Sequence, residues 1–458
     1  MRVRDRLSPA ELTFNPEEVL LRASALFRTE QWDDLQGLIA EKIEHFQDYD
    51  VLQMDRVVAI LMWGRSGSLL LSSYLDGHDE VLMLPETWSQ RLYEFFERYR
   101  RLPLCDKLIG YAAYEPDYPV FFKGDFAIQP AQYYAAVQAI LECCRPWPAE
   151  FLESRRAFFL FVHIAYNLAL GRRLATRTPV IVYAQHQRDN EVAKHVIQDF
   201  PRAKFVHTIR DPISSCDGLF QYHFKFVETH TPAHGFLPTL PYMALSCLTG
   251  QDRPHDGMEA RTRTVRFEDL HSDTPETMRD LCDWLGLPHR PTLVDSTFNG
   301  IPYVVKRDGK AWTGRRLEQL QRHSWNLSRK DQALLFALFY ENFVEWDYPC
   351  PKIFAIPLVR YIVFLALFLV PTNMEMLAAR AVFKRRILPA VKDGNILEVI
   401  ESLLGIALCR LKIILRLAPA FFRRCVSGAI LLQVDEKRRA RGPREDGARA
   451  ATNETTLT

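Results

Sequence analysis

Residues 63–68, Trp-Gly-Arg-Ser-Gly-Ser, combine the residue types that bind phosphate and sulfate groups. They follow a continuous apolar run of strand length, Val57 to Met62, and they lead into a helical pattern. The two glycines allow a tight turn, so that the backbone amides of residues 66–69 can point at one anion, assisted by the helix dipole. The two serines add hydroxyl donors, and Arg65 adds positive charge. The spacing therefore predicts an anion-binding loop at the start of a helix.

Two common phosphate-binding motifs do not fit this loop. A nucleoside-triphosphate P-loop needs Lys after its last glycine, and this chain has Ser68 there. A dinucleotide-binding fingerprint needs three glycines, and only Gly64 and Gly67 are present. An ordinary strand-to-helix turn with a small capping residue would explain the loop if it stood alone. Other segments of the chain favour the anion-binding interpretation.

Three segments, in order along the chain, resemble the motifs of sulfotransferases that use 3'-phosphoadenosine 5'-phosphosulfate (PAPS). The similarity extends over about residues 55–345 and is to bacterial-type members, with a motif similarity to tyrosyl-protein sulfotransferases. It implies an α/β fold, a P-loop-like three-layer core in which helices flank a parallel sheet. The matching segments are Arg65-Ser66-Gly67-Ser68 with residues 75–81 and 84–86, then Phe205-Val206-His207-Thr208-Ile209-Arg210-Asp211-Pro212, then Val265-Arg266-Phe267-Glu268-Asp269-Leu270.

The resemblance also implies how PAPS is bound as cosubstrate. The loop would hold the 5'-phosphosulfate, and Arg210 with Ser214 or Ser215 would hold the 3'-phosphate. Many relatives carry a serine at the position of Gly218. Arg307 lies in a segment, residues 306–309, that resembles a late basic loop closing over the cofactor. The loop residues implied in binding are Gly64, Arg65, Ser66, Gly67, Ser68 and Leu69.

Glu86 is the candidate base that takes the proton of the acceptor hydroxyl. It resembles the catalytic Glu of tyrosyl-protein sulfotransferases, and partial burial would give it the raised pKa that a base at neutral pH needs. A helix-capping role for Glu86 is the alternative. Arg65 is expected to stabilise charge during transfer. His78, His186 and His207 are expected to be structural, although His186 lies at a strand end and could reach the site, which leaves a histidine as the alternative base. The chemistry requires no metal.

Alternating helical and strand patterns predict the core. We expect strands over residues 57–62, 81–84, 180–184, 204–209 and 262–267, joined by helix-length segments as in βαβ units. An aromatic, helical region should lie between the second and third strands. Two short amphipathic helices should precede the sheet, within residues 16–46. Because ligands of open parallel sheets bind beside the carboxyl ends of strands, the 63–68 loop and Arg210 should share one edge.

Composition narrows the class of protein. With 458 residues and 48% hydrophobic content, the chain can bury a sizeable core. Nine scattered cysteines suggest neither a disulfide framework nor a zinc site, and the N-terminus does not look like a secretory signal, so we expect a cytoplasmic protein. Residues 351–458 hold 18 Lys and Arg against 9 Asp and Glu, whereas residues 1–350 hold 40 against 47.

The basic C-terminal region is also rich in apolar runs. Helices lying on an anionic membrane, on its inner face, are the favoured interpretation. A helical lid packed on the body is second, and a transmembrane helix is third because Arg360 would lie near the middle of the most apolar stretch, 353–370.

Together these features predict a sulfotransferase that moves a sulfuryl group from PAPS to a hydroxyl of a carbohydrate, a glycolipid or other lipid-linked alcohol, or a small alcohol. A P-loop kinase and an inactive scaffold that binds PAPS or its product are the alternatives. Nucleic acid is not an expected partner, and the oligomeric state stays open. The expected organisation is an N-terminal helical appendage (1–50), a sulfotransferase domain (51–350), a membrane-associated helical region (351–434) and a disordered tail (435–458).

Overall fold

A five-stranded parallel sheet flanked by helices forms the centre of the fold, as described by a computed structural model. The strands are β1 (Val57–Met62), β2 (Val81–Met83), β3 (Val180–His186), β4 (Lys204–Ile209) and β5 (Thr262–Arg266). Their spatial order in the sheet is β2-β3-β1-β4-β5. The predicted α/β fold with a parallel sheet is therefore confirmed, and the bounds of β1 and β4 are those expected.

The structure describes residues 34–62, 65–86, 88–89, 91–113, 121–122, 124–186, 190–229, 231–250, 258–307, 310–322 and 324–427. The first predicted N-terminal helix, Gly64 and the predicted disordered tail lie outside these ranges. Contacts divide the chain into two compact units. The first unit comprises Met1–Leu61, Ser68–Phe205 and Asp273–Arg315, and the second comprises Met62–Gly67, Val206–Ser272 and Arg316–Thr458.

Burial on both faces explains why the sheet strands read as apolar runs in the sequence. Val57 to Leu61 are all buried, as are the three residues of β2. β2 and β3 pair in parallel with Val81 opposite Val180 and Met83 opposite Val182.

Helices of the first unit surround an aromatic core. The longest, α7 (Arg155–Leu170), is preceded by the capping residue Ser154, whose hydroxyl accepts the Ala157 N–H at 3.0 Å, and it is followed by Gly171 with φ of 69°. Every residue from Ala157 to Ala169 is buried. The helices are α1 (Leu35–Phe46), α2 (Ser68–Leu75), α3 (Leu92–Arg98), α4 (Leu104–Ala112), α5 (Pro130–Cys144), α6 (Ala149–Leu152), α7 (Arg155–Leu170), α8 (Asn190–Asp199) and α12 (Thr274–Leu285).

Four short strands after α12 form two antiparallel hairpins in the first unit. The sequence does not predict them by strand-length apolar runs, although Asp followed by Gly, as at positions 308–309, is a sequence typical of hairpin turns. They are β6 (Thr297–Phe298), β7 (Ile301–Pro302), β8 (Val304–Arg307) and β9 (Lys310–Thr313).

The second unit is mostly helical after its strands. The described residues include no helix that is long and apolar enough to cross a membrane. Arg360 is buried, forms an ion pair with Glu341 and stacks over the Tyr340 ring, so its charge is satisfied within the protein. The helices are α9 (Pro212–Thr229), α10 (Leu240–Gly250), α11 (Phe267–Ser272), α13 (Arg329–Leu338), α14 (Tyr340–Glu345), α15 (Pro357–Leu369), α16 (Asn373–Val382), α17 (Leu388–Lys392) and α18 (Ile396–Ser427).

Candidate functional site

The loop after β1 has the backbone conformation of an anion-binding turn. Arg65 has φ of 66° and Gly67 has φ of 93°, while Ser66 between them is not in the left-handed region. Such alternation turns successive N–H groups towards one side of the chain, which creates a concavity for an anion. Ser66 is fully buried, and its hydroxyl lies 2.8 Å from that of Thr208 near the end of β4. The loop is thereby fixed to the neighbouring strand end.

Gly67 cannot be replaced without cost. A Cβ at this position would lie 2.3 Å from Cδ2 of Phe267, and the positive φ is itself unfavourable for other residues. We expect Gly67→Ala to lower the free energy of unfolding by about 1 to 3 kcal/mol or more, measured by chemical denaturation. The matched control is Gly218→Ala in α9, where the nearest atoms would be 3.9 Å away. That change should stabilise the protein by about 0.5 to 1 kcal/mol, and equal effects of the two substitutions would contradict this account.

Arg210 is a buried cation at the end of β4. Its side chain is only 8% exposed, and its guanidinium lies 4.4 Å above the centre of the Phe267 ring. Nη1 donates to the carbonyl oxygen of Arg65 at 3.4 Å, whereas buried Nε has no hydrogen-bond partner among the described residues. Burial lowers the pKa of Arg210, although the nearby Glu268 and Asp211 carboxylates oppose that shift. A buried guanidinium with an unused donor is well suited to an anionic ligand.

A carboxylate network fixes the backbone that carries Arg210. The Asp211 N–H donates to Glu268 at 3.2 Å, and the Tyr348 hydroxyl donates to the other Glu268 oxygen at 2.6 Å. Asp211 accepts from Arg322 Nε at 3.0 Å and from the Ser214 N–H at 2.9 Å. Arg210 is therefore positioned by residues from three distant parts of the chain.

The first turns of α9 lie beside both arginines. Ser214 and Ser215 are buried there, and Asp211 caps the helix through the Ser214 N–H. A Cβ at Gly218 would be 3.9 Å from Arg210 Nη1 and 3.9 Å from Arg65 Cβ. A side chain larger than that of glycine would therefore lie next to the Arg210 guanidinium and the Arg65 side chain. Further along α9, the Tyr222 ring lies 4.6 Å from the Arg65 guanidinium carbon.

Glu86, in the first unit, follows the carboxyl end of β2 in a strained conformation. Its φ is 48°, which is unusual for a residue with a long side chain. The side chain is half-buried, and this burial, together with the charge of Asp125, raises the pKa of Glu86. Strain and a raised pKa on one carboxyl group often mark a functional residue.

The other predicted residues have diverse environments. In the first unit, Ser68 is buried as the first residue of α2, and Leu69, which follows it, is half-buried. Arg307 ends β8, and its side chain lies outside the described part of the structure, as does all of Gly64. His78 is held by backbone groups on both ring nitrogens, at 2.8 Å from the Pro288 carbonyl oxygen and 3.0 Å from the Glu80 N–H. This is the structural role expected for it.

Several residues around Arg210 were not predicted as part of the site. Phe267 and Glu268 lie inside the third motif, so the signal was present in the sequence. Arg322 and Tyr348 lie far along the chain in segments without a recognisable pattern, and only the fold brings them to Asp211 and Glu268. Within the described ranges, no group of three or more His, Cys, Asp or Glu side chains could hold a metal ion.

The fold and the loop define a parallel α/β protein with an anion-binding turn after its first strand. Comparison with protein families assigns the class more closely, since the Sulfotransferase family model matches residues 58–291. The chain belongs to the sulfotransferase family. No curated protein sequence matches it.

Three of the solved structures with similarity to the chain are sulfotransferases or sulfotransferase domains. One is the sulfotransferase domain of the Synechococcus PCC 7002 olefin synthase, with 16% identity over 53% of this chain and 76% of that one, at a TM-score of 0.28. A second is the sulfotransferase domain from the curacin biosynthetic pathway, with 17% identity, coverage of 65% and 99%, and a TM-score of 0.32. The sulfotransferase STF9 of Mycobacterium avium has 16% identity, coverage of 57% and 73%, and a TM-score of 0.30.

Proposed function

We propose that the protein transfers the sulfuryl group of PAPS to a hydroxyl acceptor. The single observation that carries the PAPS assignment is the buried Arg210, with its unused Nε, bonded to the backbone of a loop that is shaped for a second anion. Two anion-binding elements in one unit suit a nucleotide that is charged at its 3'- and 5'-ends. Arg210 suits the 3'-phosphate because an arginine can form two parallel, charge-assisted hydrogen bonds to a phosphate group.

In the proposed reaction the loop and Arg65 bind the 5'-phosphosulfate, and Arg210 binds the 3'-phosphate. The acceptor oxygen forms a bond to sulfur while the bond between sulfur and the bridging phosphate oxygen breaks. The hydroxyl proton moves to the Glu86 carboxylate, and 3'-phosphoadenosine 5'-phosphate (PAP) leaves with the electron pair. By analogy with phosphoryl transfer, positioning and neutralisation of the leaving group supply most of the rate.

Two features support Glu86 as the base. It follows the carboxyl end of a strand in the parallel sheet, where ligands of such sheets bind. Its raised pKa brings proton affinity closer to what a base at neutral pH requires. Helix capping is a weaker explanation, because burial beside Asp125 costs energy that a capping carboxylate in water avoids.

The acceptor we propose is a hydroxyl of a carbohydrate or of a lipid-linked alcohol. The proposed chemistry needs only a hydroxyl that can give its proton to Glu86. The rings of Trp88, Phe121 and Tyr166 do not bear on this choice, because they are buried and pack on one another in the core of the first unit. A small soluble alcohol would suit the same chemistry.

The kinase alternative lacks support from the residues. Ser68 stands where a P-loop kinase needs Lys, and family membership favours sulfuryl over phosphoryl transfer. The other alternative is an inactive protein that binds PAPS or PAP. It would bind these nucleotides as the enzyme does, but it would form no sulfated product.

Transfer of radiolabelled sulfate from PAPS to cell extracts tests the proposal. We expect a labelled product and an equal amount of PAP, and calorimetry should detect PAP binding to the purified protein. PAP binding without any labelled product would favour the inactive scaffold. Absence of PAP binding would refute the proposed donor, and labelled phosphate transfer from ATP would favour a kinase.

A further inference from the structure

Helix α18 is apolar on two opposite faces. Cys409, Ile413, Leu417 and Phe421 are buried in the core of the second unit. The opposite side of the helix is exposed to solvent, yet it carries large apolar side chains at helical spacing. These are Leu397, Ile400, Leu404, Leu408, Leu411, Leu415 and Phe422, with exposed fractions from 39% to 67%. We call this set the α18 apolar face, and a soluble helix would normally be polar there.

A second apolar row lies on α15 in the same unit. Leu358, Ile362 and Leu365 recur at helical spacing and are 59% to 67% exposed. The two helices are in contact, because the Phe364 and Phe421 rings stack with their centres 4.3 Å apart. The exposed apolar side chains therefore belong to one packed group of helices, and such large exposed apolar surfaces usually mark an interaction site.

Positive charge accompanies the apolar surface. Residues 371–427 contain ten Lys and Arg but four Asp and Glu. Two of those acids are already engaged in ion pairs, Glu375 with Arg410 at 3.0 Å and Glu398 with Arg386 at 3.3 Å. Arg380, Lys384, Arg385, Lys392 and Arg416 are exposed cations in this region. The surface of these helices is thus both apolar and strongly cationic.

The geometry is that of a helix lying along a surface. From Leu397 to Phe422 the apolar face extends about 38 Å at 1.5 Å per residue. Because the other side of α18 is packed on protein, the helix is held with only one face available. Interfacial helices have this arrangement, with apolar side chains below the lipid headgroups and cations at their level.

We propose that the α18 apolar face docks on the surface of an anionic lipid bilayer. The excess of cations selects this occupant, since two copies of the same cationic surface repel each other whereas anionic headgroups attract each exposed Lys or Arg. This proposal is independent of the sulfuryl donor and of the acceptor.

Sedimentation of the full chain with vesicles tests the docking. Wild type should pellet with vesicles of phosphatidylcholine and phosphatidylglycerol, but much less with phosphatidylcholine alone or in high salt. A triple variant should partition about a hundredfold less into these vesicles, because three leucine side chains that enter the lipid in the wild type are replaced. Its substitutions are Leu404→Gln, Leu411→Gln and Leu415→Gln. A second triple variant, with Lys384→Gln, Arg385→Gln and Lys392→Gln, should bind anionic vesicles about a hundredfold more weakly. Its binding to phosphatidylcholine vesicles should not change.

The control variant is Leu52→Gln, Val294→Gln, Leu317→Gln, whose apolar side chains are exposed to a similar degree elsewhere in the chain. It should bind vesicles as wild type does, and circular dichroism should show that all variants are folded. Failure of wild type to bind anionic vesicles would refute the proposal, as would unchanged binding by the Leu404, Leu411 and Leu415 variant. A concentration-dependent dimer that this variant abolishes, without vesicle binding by wild type, would assign the face to a second copy instead.

Discussion

Replacement of Arg210 by Ala should weaken PAP binding about a hundredfold, because charge-assisted hydrogen bonds to a buried phosphate are each worth about 1.5 to 3 kcal/mol. The affinity for adenosine 5'-phosphate, which lacks the 3'-phosphate, should change less than about threefold. The difference arises because Arg210 is assigned to one end of the nucleotide only. Titration calorimetry with both nucleotides measures it directly.

Arg210→Lys is the matched variant for this experiment. Lys retains the charge but cannot form the paired hydrogen bonds of a guanidinium, so PAP affinity should lie between those of wild type and Arg210→Ala. Thermal unfolding separates binding from stability, since Arg210 also packs on Phe267 and bonds to the Arg65 carbonyl. If both nucleotides weaken equally in a folded variant, the 3'-phosphate assignment is wrong.

The strands could be predicted because a strand that is buried on both faces needs a continuous run of apolar residues, which is visible in the sequence. β1 follows the charged residues Asp55 and Arg56, and β4 precedes the charged residues Arg210 and Asp211. The predicted limits of both strands match the structure. β3 extends two residues beyond its prediction, to His186, because the polar side chain of Gln185 is buried and accepts a hydrogen bond from the Tyr183 hydroxyl at 3.1 Å. In the sequence, a polar residue that forms its hydrogen bonds inside the fold cannot be distinguished from a loop residue.

The residues that position Arg210 could not be predicted for a different reason. The Arg322 and Tyr348 side chains reach Asp211 and Glu268 across 111 and 80 residues of sequence. Neither contact leaves a periodicity or a short motif. The local sequence therefore predicts the cation that would bind the anion, but not the network of residues that holds this cation in place.

Backbone strain links the two candidate catalytic residues. Arg65 and Glu86 both adopt positive φ, although neither is a glycine. Such conformations cost about 1 to 3 kcal/mol each and persist only where the surrounding structure enforces them. Their occurrence at these two positions, predicted independently from the motifs, supports a functional interpretation of both.

Glu86→Gln should reduce the rate of sulfuryl transfer about a thousandfold, within the range typical for loss of a general base. Gln is similar in shape but cannot accept the proton, so PAP affinity should change less than about threefold. Single-turnover measurement of labelled product with saturating PAPS isolates this step. Turnover equal to that of wild type would exclude Glu86 as the base. The positive φ of Glu86 would then have a structural role only.

The pH dependence of transfer distinguishes a base from a residue that only shapes the site. The base must be ionised, and burial raises the Glu86 pKa above its ordinary value of 4.5, so the rate should increase with pH through this raised pKa. Asp125→Asn removes a negative charge that contributes to the shift, although burial is the larger cause. The rate increase should therefore move to lower pH in this variant, and Asp125 is an exposed residue whose replacement should leave the fold intact. A profile that stays unchanged in Asp125→Asn would show that the titrating group is not Glu86.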